Sequence, residues 1–156
     1  METITGFSKY FTFEELTDSD SRPDLVKQNR IDAMKFIESG RKTSMMMEEV
    51  RHEVYEDKPS KVKSGYRNPI LNKAIGSIAK KSTHMEFEAV DNIPPMPLKE
   101  AFTKIITAQK AGKLPKLRKV IREDHKGILH IEAKMSDDEK CHFYTTSDNK
   151  TFKEIV

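Results

Sequence analysis

Apolar positions recur first at a helical spacing and later at a strand spacing, so the pattern predicts helices at the start of the chain and a sheet after them. Thr12 precedes Phe13-Glu14-Glu15-Leu16. Its hydroxyl can accept a backbone N–H, and the two acids suit the positive end of a first helical turn. Pro23 and Asp24 open a longer helix in which Leu25, Val26, Asn29, Ala33, Phe36 and Ile37 recur near the helical period, with Gly40 as its expected end. Ser44 is the expected cap of the next helix, whose stripe is Met46, Met47, Val50 and Val54. The run Met45-Met46-Met47 reads as core filling, because methionine packs irregular gaps.

After Pro59, residues Lys61 to Tyr66 read as a strand that delivers Arg67, and Pro69 starts a short helix through Ala74 that stops at Gly76. The stretch from Ile78 to Thr83 reads as a loop. Glu86 to Val90 alternates as a strand would, which would put Phe87 and Ala89 on one buried face. Asn92-Ile93-Pro94-Pro95-Met96-Pro97 breaks regular structure. Leu98, Ala101, Phe102, Ile105 and Ile106 then form an amphipathic helix closed by Gly112. Three strands follow, Leu117 to Arg122, Gly127 to Ala133 and Cys141 to Thr145, with turns at Asp137-Asp138 and Ser147-Asp148-Asn149. The fold class is therefore α+β: N-terminal helices packed on a mostly antiparallel sheet. No repeat interrupts it, and one domain over residues 1–156 is expected.

Composition narrows the function classes. A net charge of +3 with 34% charged residues describes a polar-surfaced chain, and no basic stripe with interleaved aromatics suggests nucleic acid. The lone Cys141 excludes an internal disulfide framework. No apolar run approaches the ~20 residues of a membrane span. The start, Met1-Glu2-Thr3-Ile4-Thr5-Gly6, lacks the charge and apolar centre of a secretory signal. A cytoplasmic monomer is the expectation.

Candidate chemistry lies in Ser82-Thr83-His84-Met85-Glu86-Phe87-Glu88-Ala89-Val90-Asp91 and in the strand-like Ile128-Leu129-His130-Ile131-Glu132. Two imidazoles and a carboxylate make a three-ligand set that leaves one zinc position open, as catalytic zinc requires. Such a zinc lowers the pKa of water to about 7 and polarises a carbonyl. On spacing alone the set is weak. The segment upstream, Ser64-Gly65-Tyr66-Arg67-Asn68-Pro69 with Asn72, Ala74 and Gly76, strengthens it.

Together these segments resemble the M15 family of zinc D-Ala-D-Ala carboxypeptidases and related cell-wall peptidases, in particular the short phage-type branch. That family carries S-G-Y-R-x-P-x-x-N-x-A-x-G-G, then S-x-H-x-x-G-x-A-x-D, then a histidine in an apolar strand such as W-V-H-V-D. This chain matches at Ser64, Gly65, Tyr66, Arg67, Pro69, Asn72, Ala74, Gly76, Ser82, His84, Ala89, Asp91 and His130, and Tyr10 to Thr17 is similar to the family's opening segment. The resemblance runs from about residue 9 to about residue 134.

The resemblance implies a metallopeptidase with Zn²⁺ on His84, Asp91 and His130, cutting an amide in peptidoglycan stem peptides. Arg67 would bind the substrate carboxylate or polarise the scissile carbonyl, with Ser82 and Tyr66 beside it at the substrate. Glu123 is the candidate general base, with Asp124 and His125 as alternates, because the acid found in several branches three residues before the last histidine is Gly127 here. Glu132 is expected to turn to the opposite strand face, away from the metal. Without a signal, such an enzyme would be released at lysis or carried in a virion, as a phage or prophage product is. Phe87 stands where the family has glycine, and Ser77 replaces the second glycine upstream. A ring at position 87 either narrows the groove beside the metal or turns into the core. The first case favours the alternative reading, an inactive relative that binds the wall or serves in a virion.

Overall fold

A computed structural model describes residues 4–77 and 81–156. Its elements run α1 (Phe13–Leu16), α2 (Val26–Ala33), α3 (Ile37–Glu53), β1 (Lys61–Ser64), α4 (Pro69–Ala74), β2 (Ala89–Ile93), α5 (Leu98–Lys110), β3 (Leu117–Glu123), β4 (Ile128–Ala133), β5 (His142–Thr146) and β6 (Lys153–Ile155). The strands form one sheet in the order β1-β2-β4-β3-β5-β6. Every neighbouring pair is antiparallel except β3 with β5. This is the expected α+β architecture, with β6 added. The expected loop at 78–83 falls partly outside the described residues.

The sheet's two faces have separate tasks. Val90, Val120, Leu129 and Ile131 point into the core, where α3 and α5 pack. Asp91, Ile121, Glu123 and His130 point the other way and line a cavity. The register aligns Asp91 with His130 and His130 with Ile121, so three strands place their side chains in one row. No helix of the described residues is long and apolar enough to cross a membrane.

Several helix boundaries depart from the pattern. Thr12 caps α1 by accepting from Glu15 N–H at 3.1 Å, as expected. Gly40, however, does not end a helix; it lies inside α3. A Cβ there would sit 2.7 Å from the ring of Phe87, so this glycine serves close packing rather than termination. Ser44 is likewise interior to α3. Its hydroxyl donates to Phe11 C=O (2.7 Å) and accepts from Ser8 N–H (2.8 Å), tying the N-terminal segment to the helix. The stripe Met46, Met47, Val50 and Val54 is buried, as its spacing predicts.

Phe87 is not in a strand. Residues Thr83–Glu86 form a single 3-10 turn, and Phe87 ends it with φ 61°, in the left-handed region that favours glycine. Where the resembled motif has glycine, Phe87 takes a backbone conformation that costs a side chain strain. Its ring is fully buried among Phe7, Phe13 and Tyr66, with centroids 5.4–6.4 Å away. Thr43 of α3 donates to its carbonyl at 2.7 Å. Burial of the ring and this hydrogen bond offset the conformational cost.

The packing of Phe87 into the notch at Gly40 yields a double-mutant cycle. Phe87→Gly should cost less than the ~3–5 kcal/mol of a buried Phe→Ala change, because glycine relieves the ~1–2 kcal/mol of left-handed strain. Gly40→Ala should destabilise the wild type and cost far less in the Phe87→Gly background. Denaturant unfolding measures all four corners. Additive changes would mean that the ring and the glycine do not constrain each other.

Candidate metal centre and active site

Gly65 begins the construction of the site. A Cβ on it would stand 2.2 Å from the carbonyl oxygen of Leu16, so only glycine lets β1's exit pass under α1. Tyr66 N–H donates to that same carbonyl at 2.7 Å. Asn29, fully buried in α2, donates to the carbonyls of Thr17 and Tyr66 and accepts from Asn68 N–H. Its regular spacing marked it as an inward position; its partners could not be read.

Held in this way, Gly65 C=O receives the His84 ring at Nδ1, 2.7 Å away. A carbonyl only accepts, so Nδ1 carries a hydrogen, and in the neutral ring Nε2 keeps a lone pair. Nε2 faces Asp91 Oδ2 at 3.2 Å. Burial pushes His84 below the ordinary imidazole range, and Asp91 opposes that shift. At this separation either a proton or a metal cation can bridge the two atoms.

Asp91's other oxygen meets His130 Nδ1 at 2.9 Å, and His130 Nε2 meets Glu132 Oε2 at 2.7 Å. Burial pushes the Asp91 carboxyl upward, but the two imidazoles outweigh it and hold it well below the usual range. Burial also opposes a proton on His130, yet the hydrogen bonds to Asp91 and Glu132 raise that ring to about 10. One ligand atom from each of His84, Asp91 and His130 fits within a 4.8 Å span. Bonds of about 2.0–2.2 Å to a tetrahedral ion would place ligand atoms about 3.3–3.6 Å apart, so small shifts suffice. The donor set fits a metal, with His84 Nε2, an Asp91 oxygen and His130 Nδ1 turned inward. The far nitrogens are already oriented by Gly65 C=O and Glu132, as metal-bound histidines usually are.

Glu132 corrects the sequence reading. Residues two apart on a strand share a face, so Glu132 lies beside His130 rather than opposite it. The spacing His130-x-Glu132 was the available signal. Thr83 Oγ1 also donates to Glu132 at 3.1 Å, linking the two ligand-bearing segments.

The other candidates are placed as follows. Arg67, Ser82, His84, Asp91, Glu123, Lys126 and His130 line one cavity of about 290 Å³. Arg67 is anchored through its backbone N–H to His84 C=O at 3.1 Å. Among the described residues its Nη atoms reach the hydroxyls of Ser64 and Ser82, at 3.3 and 3.5 Å, and its buried Nε has no partner. Ser82 also accepts from His84 N–H, capping the 3-10 turn. Tyr66 does not line the cavity. It is buried against Phe87 and Phe36, and burial pushes its phenol up to about 12.

Glu123, at the end of β3, is 5% exposed and directed at the cavity. Asp124 points elsewhere, held by Arg122 at 2.7 and 3.2 Å, and His125 is exposed in the turn. Gly127 takes φ 66° in that turn and donates to Glu123 C=O at 2.9 Å. The missing acid at 127 and the acid present at 123 are thus two sides of one turn.

A family model described as Peptidase M15 matches residues 9–132. The chain belongs to the M15 peptidase family. No curated protein sequence matches it significantly. Membership in this family of metallopeptidases agrees with the His-Asp-His cluster, whose three residues all lie inside the matched range. The M15 match also spans Arg67, Ser82 and Glu123, and it ends at Glu132.

Burial, and next the charge of Asp91, raise the pKa of Glu123 in the folded protein. A carboxyl with a raised folded pKa contributes its stability below the unfolded value of about 4.5 and loses it as pH rises through the folded value. Glu123→Gln, which stays neutral, should therefore be more stable than wild type at pH 7–8. That advantage should shrink toward zero as pH falls below about 4.5. Thermal unfolding across this range is the measurement, and equal stability at every pH would show that Glu123 ionises as freely as in water.

Proposed function

We propose that this M15 peptidase is a zinc enzyme that hydrolyses an amide bond in peptidoglycan stem peptides, and that it is a phage or prophage product acting as a monomer on the wall after lysis or from a virion. The observation that carries the zinc reading is the convergence of one ligand atom each from His84, Asp91 and His130 within 4.8 Å, with the outer ring nitrogens held by Gly65 C=O and Glu132. Zinc bound there would supply Lewis acidity, polarising the scissile carbonyl and making water more acidic.

The residues of the chain supply the rest. Arg67 offers a planar fork for the substrate's carboxylate or carbonyl oxygen, and Ser82 steadies that fork. Tyr66, the chain neighbour of Arg67, is buried away from the cavity and would position Arg67 rather than touch substrate. Glu123 takes a proton from the attacking water as the new C–O bond forms, then returns it to the amine as the C–N bond breaks. Its raised pKa suits both transfers. The inactive reading leaned on Phe87, and the acid missing at Gly127 left the general base in question. With the Phe87 ring in the core and Glu123 at the cavity, neither residue favours it.

Protein purified without a metal-affinity tag should carry about one zinc per chain, and His84→Ala or His130→Ala should abolish tight binding. Glu123→Gln should keep zinc and lose ~10²-fold or more in cleavage of purified peptidoglycan fragments or D-Ala-D-Ala peptides. Stoichiometric zinc in both histidine variants would put the metal elsewhere. Undiminished hydrolysis by Glu123→Gln would pass the base role to another group, and zinc without cleavage of any wall peptide would revive the inactive reading.

A further inference from the structure

Behind the ligand row lies a group of charges that the proposed reaction does not use. The register of β3 against β4 shifts between Leu117 and Lys119, so Arg118 sits at an irregularity of the strand. Such bulges re-aim a side chain. Arg118 Nε and Nη2 both donate to Glu132 Oε1, at 3.2 and 2.9 Å. Its Nη1 donates to Glu88 Oε1 at 2.8 Å and lies 3.6 Å from Glu139. Glu132 spends its other oxygen on His130 Nε2 and Thr83 Oγ1. Every hydrogen-bonding direction of this buried carboxylate is thereby set.

We propose that Arg118 is a positioning residue for the metal centre, acting through Glu132 on His130 and through Glu88 on the segment between His84 and Asp91. The proposal rests on the metal-site reading above. Three arguments support it. Glu132 needs a second partner to hold one rotamer, since a carboxylate bound only to His130 and Thr83 could swing about its last torsion. A guanidinium fork removes that freedom in a way that a lysine cannot. Glu88 lies between the ligands His84 and Asp91 and next to Phe87, so one cation grips both the strand carrying His130 and the turn joining the other two ligands. Partners of metal-bound histidines typically change metal affinity by about 10–100-fold when lost.

The test uses the full chain and three variants, Arg118→Met, Arg118→Lys and Glu88→Gln. Zinc affinity is measured by chelator competition, the cobalt-substituted visible spectrum reports ligand geometry, and thermal unfolding of the apo protein monitors the fold. Arg118→Met should weaken zinc about 10-fold or more and alter the cobalt spectrum, Arg118→Lys should fall between it and wild type, and kcat should drop more than KM rises. Glu88→Gln keeps Glu132 intact and should show a smaller shift in the same direction. If Arg118→Met does not fold, Arg118→Lys and Glu88→Gln decide the matter. Wild-type zinc affinity and cobalt spectra in the folded variants would overturn the proposal while leaving the metal site standing. Failure of the wild type itself to bind zinc or cobalt would instead overturn the reading on which it rests.

Discussion

A carboxylate largely withdrawn from water must be given partners, and Asp91, with 13% of its side chain exposed, is the carboxylate around which the site is arranged. An unpaired ion at such depth costs several kcal/mol. Asp91 avoids this by meeting an imidazole on each oxygen. Those imidazoles come from a 3-10 turn and from the neighbouring strand, so the requirement reaches through the register of β2 on β4 and through the turn that presents His84. The same cluster that would bind a cation is also what makes the metal-ligand face of the sheet self-consistent in charge.

The opposite side of the site is governed by close approach. Gly65 lets the backbone of Leu16 come near enough to aim a carbonyl at His84, and Gly40 leaves a notch for Phe87. Neither glycine is at a positive φ, and neither ends an element. Both mark places where a methyl group would displace something the site depends on. Phe87 shows the converse: a left-handed position tolerates a bulky residue because its ring is sunk into an aromatic cluster.

How much of this was legible follows from the kind of information involved. Period and capping chemistry are local, so α1, α4, α5 and the strands β1, β3, β4 and β5 could be located from sequence, and Thr12 could be named as a cap; β2 starts later than its pattern and runs through Asn92-Ile93, which read as a break. Gly40 and Ser44 misled because their reasons are forty or so residues away, at Phe87, or in the N-terminal segment. His84, Asp91 and His130 were named from the resemblance, and the fold brings the three together. Their supports could not be named: Gly65 C=O is a backbone atom, and Arg118 reaches Glu132 only through a register shift that no spacing announces. Glu132 was within reach of sequence reasoning, since strand parity alone places it beside His130.

The parallel pairing of β5 with β3 has a consequence for how this scaffold can diversify. It carries the chain across the sheet edge, so that the turn before β6 brings Asn149 to the rim of the cavity holding Arg67 and His130. That turn lies beyond residue 132, where the family match stops. Part of the cavity wall is therefore borrowed from a hairpin that carries none of the His-Asp-His residues. Lengthening or recharging that hairpin would reshape what fits in the groove while leaving the His-Asp-His frame untouched.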